Sequence, residues 1–251
     1  MFVHNIDPVI FSIGPLSIRY YGVIYALGFI LAYIFLKNAS KRKELPIKDD
    51  DADALIIYLM IGVVVGARIF EILFYNPSYY FSNPSEMIAL WHGGLSFHGG
   101  LAGGFIAVLM FCRKRRIELL QIADVIALPA ALALAFGRIA NFINGELYGT
   151  PSNLPWAVKF PGTDEFRHPS QLYESLKNFV IFFVLLIVRK PTLKKGYIFG
   201  LFLLLNGVMR FFIELVREPE MMIGPLTMGQ ILSIPTVIAG IWLMKRKDSV
   251  H

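Results

Sequence analysis

Long apolar runs constrain the fold of this chain more than any other feature of its sequence. Seven such runs cover roughly residues 20–36, 54–74, 95–112, 122–142, 172–188, 197–216 and 228–244. Most are near the roughly 20 residues that an α-helix needs to cross a bilayer. The chain is 56% hydrophobic and 17% charged, whereas soluble domains are about 45–50% apolar and about 25% charged. The sequence therefore predicts an all-α polytopic membrane protein with about seven transmembrane helices.

The charged residues indicate how these helices are oriented. The loops after the first, third and fifth runs and the C-terminal tail, which holds Lys245, Arg246 and Lys247, together carry 16 Lys and Arg, against 3 on the other side. Cytoplasmic loops are enriched in these residues, so we expect the N-terminus outside and the C-terminus in the cytoplasm. The outer loops 75–94 and 143–171 are expected to form a small extracytoplasmic cap on one integral membrane domain, 1–251.

Several other classes of protein are disfavoured. The net charge of +6 lies in short clusters between apolar runs, which is typical of membrane loops and not of a nucleic-acid surface. The single cysteine, Cys112, excludes internal disulfides and a cysteine metal cluster. Because no metal-ligand spacing and no glycine-rich nucleotide loop are present, we expect no metal and no cofactor. No signal peptide is visible, so the first run is expected to remain a membrane helix.

Polar residues within the runs or just beyond their ends fall near one depth, towards the outer face. They are Tyr20, Tyr21, Arg68, His98, Arg138, Glu146, Arg210 and Glu214. Ionisable residues inside a membrane are costly and mark functional sites. A layer of polar residues beneath the headgroups of the outer leaflet indicates a site that receives a lipid headgroup laterally, from within the bilayer. An anion or lipid transporter with buried arginines is the main alternative, but it would spread such residues through the membrane or place them at its midplane.

Structural roles are possible for some of these residues. Arg68 and Glu71 are three residues apart and could pair on one helix face, as could Arg210 and Glu214, which are four apart. Arg138 has no acidic residue at either spacing within its own helix. His98 lies among glycines and could be a packing histidine. A non-catalytic assembly factor would explain the small-residue faces but not the polar cluster at one depth.

One segment has a specific motif, Gly137-Arg138-Ile139-Ala140-Asn141-Phe142-Ile143-Asn144-Gly145-Glu146-Leu147-Tyr148-Gly149. With it the sequence resembles the prolipoprotein diacylglyceryl transferase family. Further matching segments follow the family's order along nearly the whole chain: Asp7–Pro15, Tyr21-Gly22, Gly66–Arg68, Gly93–Leu101, His168–Glu174, Arg210–Glu214 and Met228–Ser233. The resemblance departs at Asn206, where many members have Tyr, at Tyr148, where Trp is common, and in the shorter segment 150–167.

The resemblance implies a reaction and its partners. Phosphatidylglycerol, a membrane lipid, would donate its diacylglyceryl group to the lipobox cysteine of a lipoprotein precursor at the cell inner membrane. A thiolate would form a thioether and release glycerol phosphate. No nucleic acid is expected to take part.

The resemblance also implies roles for single residues. The predicted catalytic residues are His98, Arg138, Arg210 and Glu146, and the predicted substrate-binding residues are Tyr21, Arg68, Asn141, Asn144, Gly149 and Glu214. A guanidinium matches the oxygens of a phosphate and stays charged when desolvated, so Arg138 and Arg210 are expected to hold the phosphodiester. His98 is the first choice for the base, or for a hydrogen-bonding group that positions one, with Glu146 as the alternative base.

Further contacts are expected around this chemistry. Asn141 and Glu146 are expected to bind glycerol hydroxyls, and Glu214 to orient Arg210. Tyr21 is expected to hydrogen-bond at the level of the headgroup.

Overall fold

A computed structural model describes residues 1–14, 16–190, 192–219 and 221–246. These residues form eight α-helices: α1 (Tyr20–Lys41), α2 (Asp49–Phe70), α3 (Pro77–Ser82), α4 (Phe97–Arg115), α5 (Leu119–Asn144), α6 (Ser170–Val188), α7 (Tyr197–Ile213) and α8 (Met228–Lys245). α2 continues into a π-helical turn, Glu71–Tyr75, and α7 into a 3₁₀ turn, Glu214–Val216. Pro15 of the N-terminal motif and Lys247 of the basic tail lie outside the described residues.

Six of the helices in the described part of the chain are long and apolar enough to cross a membrane: α1, α2 with its π-helical turn, α5, α6, α7 with its 3₁₀ turn, and α8. The predicted all-α polytopic membrane architecture is confirmed. The third predicted run is also helical, as the 19-residue α4. Its glycines and its basic last turn, Arg113–Arg115, lower its apolar content, so α4 differs from the other six in composition and not in helix formation.

Residues 32–122 form one compact unit. Within it α2 and α4 lie against each other, and glycines at their crossing allow the two backbones to meet. A Cβ atom at Gly66 would overlap the carbonyl of Gly99, and one at Gly103 would overlap the carbonyl of Gly62. In a bilayer, where apolar burial does not drive helices together, such close backbone packing stabilises their association.

Residues 1–31 and the described residues from 123 onward form the second compact unit. α6 packs on α7, and α7 packs on α8. On α5 the small residues Ala127, Ala131 and Ala135 are fully buried or nearly so. The carboxylate of Asp124 accepts hydrogen bonds from the backbone N–H groups of Gly196 at 2.6 Å and Phe199 at 2.8 Å. Asp124 thereby satisfies free donors at the start of α7.

Short β-strands within the loops of this second unit pair with one another. β1 (Phe2–Val3) pairs in parallel with β4 (Val158–Lys159), β2 (Val9–Ile13) pairs antiparallel with β3 (Leu16–Arg19), and β5 (Met222–Ile223) pairs antiparallel with β6 (Leu226–Thr227). Directly after β1, Nε2 of the buried His4 lies 2.7 Å from the carbonyl oxygen of Phe142 near the end of α5. The N-terminal segment is therefore anchored to the segment that follows α5.

Large apolar side chains remain exposed along the spanning helices, including Ile187 on α6 and Trp242 on α8. Such surfaces are unfavourable in water and are solvated by lipid tails in a bilayer. In the loop 75–94, Phe81 and Trp91 are exposed, whereas Tyr80 is buried. Phe81 and Trp91 therefore suit a position at the membrane–water interface, while Tyr80 packs inside its own unit.

Candidate active site

The centre of the candidate site is Glu174 on α6, whose side chain is 4% exposed. Nε of Arg138 on α5 lies 2.7 Å from Oε2 of Glu174, and Nη1 of Arg210 on α7 donates a hydrogen bond to Oε1. Nη1 of Arg217, which follows the 3₁₀ turn, lies 3.9 Å from the same Oε1. One buried carboxylate therefore gathers three guanidinium groups from three parts of the chain.

Arg210 has a second anionic partner in Glu214. Nη2 of Arg210 lies 2.9 Å from Oε2 of Glu214, which confirms the pairing suggested by their four-residue spacing. Glu214 is 5% exposed and Arg210 is 19% exposed. Because Glu174 and Glu214 both bind Arg210, its guanidinium is oriented from two directions.

The cluster around Glu174 carries an excess of positive charge. Its three arginines contribute +3, and Glu174 and Glu214 contribute −2. The side chains of Arg138 and Arg210 keep 24% and 19% of their surface exposed. A phosphate anion that reached these two side chains would form charge-assisted hydrogen bonds with them.

A buried lysine adds to this excess. Lys177 is one helical turn beyond Glu174 on α6 and is 4% exposed. Its Nζ donates a hydrogen bond to Oδ1 of Asn206 on α7, at 3.1 Å. Asn206 lies one helical turn before Arg210 on α7. The Lys177–Asn206 and Glu174–Arg210 pairs therefore connect α6 and α7 at two successive turns. Asn206 stands where many members of the family named above have Tyr, so in this chain that position binds a lysine.

A second polar network joins the end of α5 to the start of α1. Nη1 of Arg138 donates to Oδ1 of Asn141 at 3.4 Å. The Asn141 amide donates to the hydroxyl of Tyr21 at 3.4 Å and to Oε1 of Glu146 at 2.7 Å. The Asn144 amide donates to the same oxygen of Glu146 at 3.3 Å. The carboxylate of Glu146, an exposed residue, is thus held by two asparagines and is linked through Asn141 to Arg138.

Gly149 lies where two backbone segments meet. Its N–H donates to the carbonyl of His168 at 2.8 Å, and the N–H of Thr150 donates to the carbonyl of Val216 at 3.0 Å. A Cβ atom at position 149 would overlap the carbonyl of Val216 and the side chain of His168. Only glycine therefore fits at position 149, where these backbone segments come into contact. The contact ties the turn after α5 to the 3₁₀ turn that contains Glu214.

A known protein family matches this chain over most of its length. The family model of prolipoprotein diacylglyceryl transferase matches residues 8–246. The chain belongs to the prolipoprotein diacylglyceryl transferase family. It is therefore an enzyme of the transferase class, and the resemblance first seen in the segment Gly137–Gly149 is confirmed across nearly the whole chain.

Individual relatives match at nearly full length, and each has the name phosphatidylglycerol–prolipoprotein diacylglyceryl transferase. The relative from Geobacter sulfurreducens is 44% identical over 243 residues, covering 94% of either chain. That from Rhodospirillum rubrum is 45% identical over 247 residues, 94% of this chain and 90% of the relative. That from Rickettsia rickettsii is 44% identical over 249 residues, 96% of either chain.

Most of the residues predicted for this transferase site come together in the second compact unit. Those joined by the contacts described above are Tyr21, Arg138, Asn141, Asn144, Glu146, Arg210 and Glu214, with Gly149 packed beside the 3₁₀ turn. Their assignment to catalysis or to substrate binding stays a prediction.

Two predicted residues lie in the unit of residues 32–122. His98 is exposed in the first turn of α4, and its Nδ1 lies 3.2 Å from the hydroxyl of Tyr75. Its role as a base stays a prediction. Arg68 is 5% exposed. Its guanidinium donates to the hydroxyl of Tyr80 and to the carbonyls of Glu86, Met87, Ala89, Gly93 and Gly94.

These contacts make Arg68 a structural residue of the segment 84–94. Among the described residues no ion pair joins Arg68 to Glu71, which was the alternative, and the Glu71 carboxylate accepts a hydrogen bond from the Asn76 amide at 2.8 Å. The substrate-binding role predicted for Arg68 remains a prediction, and the contacts within its own unit do not require it.

Sequence reasoning did not single out Glu174, which is the central anion of the site. Two signals pointed towards it. Arg138 had no acidic partner at helical spacing in its own helix, so a partner from another helix was needed. Glu174 also lies early in an apolar run, at the end of the matching segment His168–Glu174. Sequence reasoning did not single out Arg217 either, because its distance to Glu174 depends on the turn that ends α7.

Proposed function

We propose that this chain transfers the diacylglyceryl group of phosphatidylglycerol to the cysteine thiol of a lipoprotein precursor. The observation that carries the proposal is the positively charged cluster in which Arg138 and Arg210, from two helices, share the buried carboxylate of Glu174. Relatives with the corresponding name, matched over nearly their full length, support the assignment.

The reaction needs a nucleophile and a stabilised leaving group. A base removes the proton of the precursor's lipobox cysteine, because the thiolate is the nucleophile and a free thiol has a pKa of about 8.5. The sulfur forms a bond to the glyceryl carbon that carries the phosphate ester. The bond between that carbon and the ester oxygen breaks, and its electron pair leaves with glycerol phosphate. The product is a thioether.

Arg138 and Arg210 are proposed to bind the phosphodiester and then the departing phosphate. Both are charged at any relevant pH, and both are partly exposed while one edge of each is held by Glu174. Donors fixed in advance stabilise developing negative charge without reorganising during the reaction. Glu214 is proposed to keep Arg210 aligned.

The second polar network is proposed to bind the glycerol part of the headgroup. Glu146 and Asn141 offer a carboxylate and an amide suited to glycerol hydroxyls, and the Tyr21 hydroxyl lies next to Asn141. His98 is proposed as the base, with Glu146 as the alternative. Asn144 supports Glu146.

We further propose that the enzyme lies in the cell inner membrane with its N-terminus outside and its C-terminus in the cytoplasm. The distribution of Lys and Arg among the loops supports this orientation. The chain is proposed to act as one integral membrane domain, with loops 75–94 and 143–171 forming a small cap on the outer side. Both substrates carry lipid or apolar segments and would reach the site from the bilayer.

The direct test is an assay in detergent with phosphatidylglycerol and a synthetic lipobox peptide. The wild type is compared with Arg138→Ala and with Arg113→Ala, a matched control because Arg113 is exposed at the end of α4. We expect mass spectrometry to detect a diacylglyceryl group on the peptide cysteine for the wild type and for Arg113→Ala, and no such product for Arg138→Ala.

Two results would contradict the proposal. A folded wild-type protein that gives no product, under conditions in which an authentic transferase works, would exclude the reaction. Full activity of Arg138→Ala would instead remove the arginine cluster from it.

A further inference from the structure

The carboxylate of Glu214 rests against the first turn of α8. Gly229 is the second residue of that helix, and a Cβ atom built at this position would overlap the carboxyl carbon and both carboxyl oxygens of Glu214. Glu214 is 5% exposed, so its carboxylate lies inside the protein at this contact. Glu214, one of the two anionic partners of Arg210, is therefore in direct contact with α8.

The first turn of α8 is held firmly in place. The hydroxyl of Thr227 accepts a hydrogen bond from the N–H of Gln230 at 3.1 Å, and the Gln230 side chain accepts one from the N–H of Thr227 at 3.0 Å. Both residues are buried. The N–H of Met228 also donates to the carbonyl of Met221 at 3.0 Å. This reciprocal capping fixes the start of the helix, so the turn cannot yield when a side chain is added to it.

The arrangement also suits the charge of Glu214. The N-terminal end of a helix carries partial positive charge, which favours a nearby carboxylate. The same carboxylate lies 2.9 Å from Nη2 of Arg210. Glu214 is thus held between a guanidinium and a helix end, and its position determines the direction from which Arg210 is bound.

We propose that Gly229 is a positioning residue for Arg210, acting through Glu214. A methyl group at position 229 displaces the end of a flexible side chain and not the backbone, so the fold is retained while the carboxylate moves off the guanidinium. Arg210 then loses one of the two anions that orient it. The part of the inference that concerns phosphate binding rests on the proposed function, whereas the contact between positions 229 and 214 does not.

The test compares Gly229→Ala with the wild type in the transfer assay. We expect kcat/KM to fall about a hundredfold, because small displacements of a positioned group have effects of this size. Gly22→Ala is the matched control, since a Cβ atom at this exposed helical glycine meets no atom within 4 Å. Gly22→Ala is expected to keep wild-type activity.

A second variant distinguishes positioning from general damage to the helix. Glu214→Asp shortens the side chain by one methylene and leaves room for the added methyl group. We expect Glu214→Asp alone to lower kcat/KM, and the double variant Gly229→Ala/Glu214→Asp to be more active than Gly229→Ala. A purely structural defect at position 229 would not be relieved by shortening another side chain.

A readout without catalysis separates this proposal from the proposed function. Because a ligand that binds only the folded state stabilises it, we expect phosphatidylglycerol to raise the unfolding temperature of the detergent-solubilised protein more than phosphatidylcholine does. Gly229→Ala should lose this difference, and the double variant should regain it. If the wild type forms no product but this pattern holds, the transferase proposal fails and the role of Gly229 stands. If Gly229→Ala behaves as wild type, or the double variant is not rescued in either readout, the role of Gly229 is excluded.

Discussion

Nε of Arg138 lies 2.7 Å from one carboxylate oxygen of Glu174, and the other oxygen of that carboxylate accepts a hydrogen bond from Arg210. Arg138 and Arg210 belong to different helices, α5 and α7. A single carboxylate on α6 therefore sets the separation of the two guanidinium groups that are proposed to bind phosphate. The cluster depends on Glu174 for its geometry and for one of its two negative charges.

Replacing Glu174 with Gln tests this dependence. The amide keeps the shape of the side chain but leaves the arginines without their shared anion. Removing one partner of a buried ion pair costs about 3–5 kcal/mol. We expect a clear fall in unfolding temperature and a large loss of kcat/KM, both measured in detergent.

Glu86→Gln is the matched control for that experiment. Glu86 pairs with His92, whose side chain is 58% exposed, at 2.8 Å. An exposed ion pair contributes about 0–1 kcal/mol, so stability and activity should hardly change. Equal effects of the two substitutions would exclude a special role for Glu174.

Arg138→Lys tests the need for a guanidinium. Lysine keeps the positive charge but presents no planar fork to a phosphate or a carboxylate. We expect kcat/KM to fall about a hundredfold with a smaller change in unfolding temperature than Glu174→Gln causes. Arg115→Lys is the control, because Arg115 is 45% exposed and pairs with Asp51 outside the site. Wild-type activity of Arg138→Lys would contradict the phosphate-binding role.

His98→Gln tests the proposed base. His98 is exposed and contacts the hydroxyl of Tyr75, so we expect the unfolding temperature to change little. We expect a large loss of kcat/KM, because glutamine cannot accept the proton of the attacking thiol. His92→Gln is the control and should keep wild-type kcat/KM. Full turnover by His98→Gln would assign the base to another group, with Glu146 tested next.

Arg68→Lys tests whether Arg68 holds the loop or binds substrate. Its guanidinium donates to five backbone carbonyls in the segment 84–94, which the three donors of a lysine cannot all satisfy. We expect a loss of stability of about 1–3 kcal/mol and faster proteolysis within this segment. A raised KM for phosphatidylglycerol without faster proteolysis would instead support direct substrate binding. Arg113→Lys, at an exposed position on α4, is the control.

The helices were predictable because their signals are local. Every predicted apolar run became a helix, since transfer of a long apolar segment into lipid does not depend on its neighbours. The pair formed by Arg210 and Glu214 was also predictable, because residues four apart share a helix face. The residues Arg138, Asn141 and Glu146 stood out through their density at the end of one apolar run.

Only the tertiary structure decided how these residues are partnered. Glu174 and Arg210 are 36 residues apart, and Tyr21 and Asn141 are 120 apart. No periodicity relates such positions, so their contacts depend on which helix faces pack together. The same holds for Gly229, whose missing side chain matters only because the carboxylate of Glu214 occupies that space. By itself the sequence determined a multi-helix membrane protein with a transferase motif. The packing of α5, α6 and α7 decided that Glu174 is its central anion, because a buried charge can be stabilised only by the groups that the fold brings within a few ångströms of it.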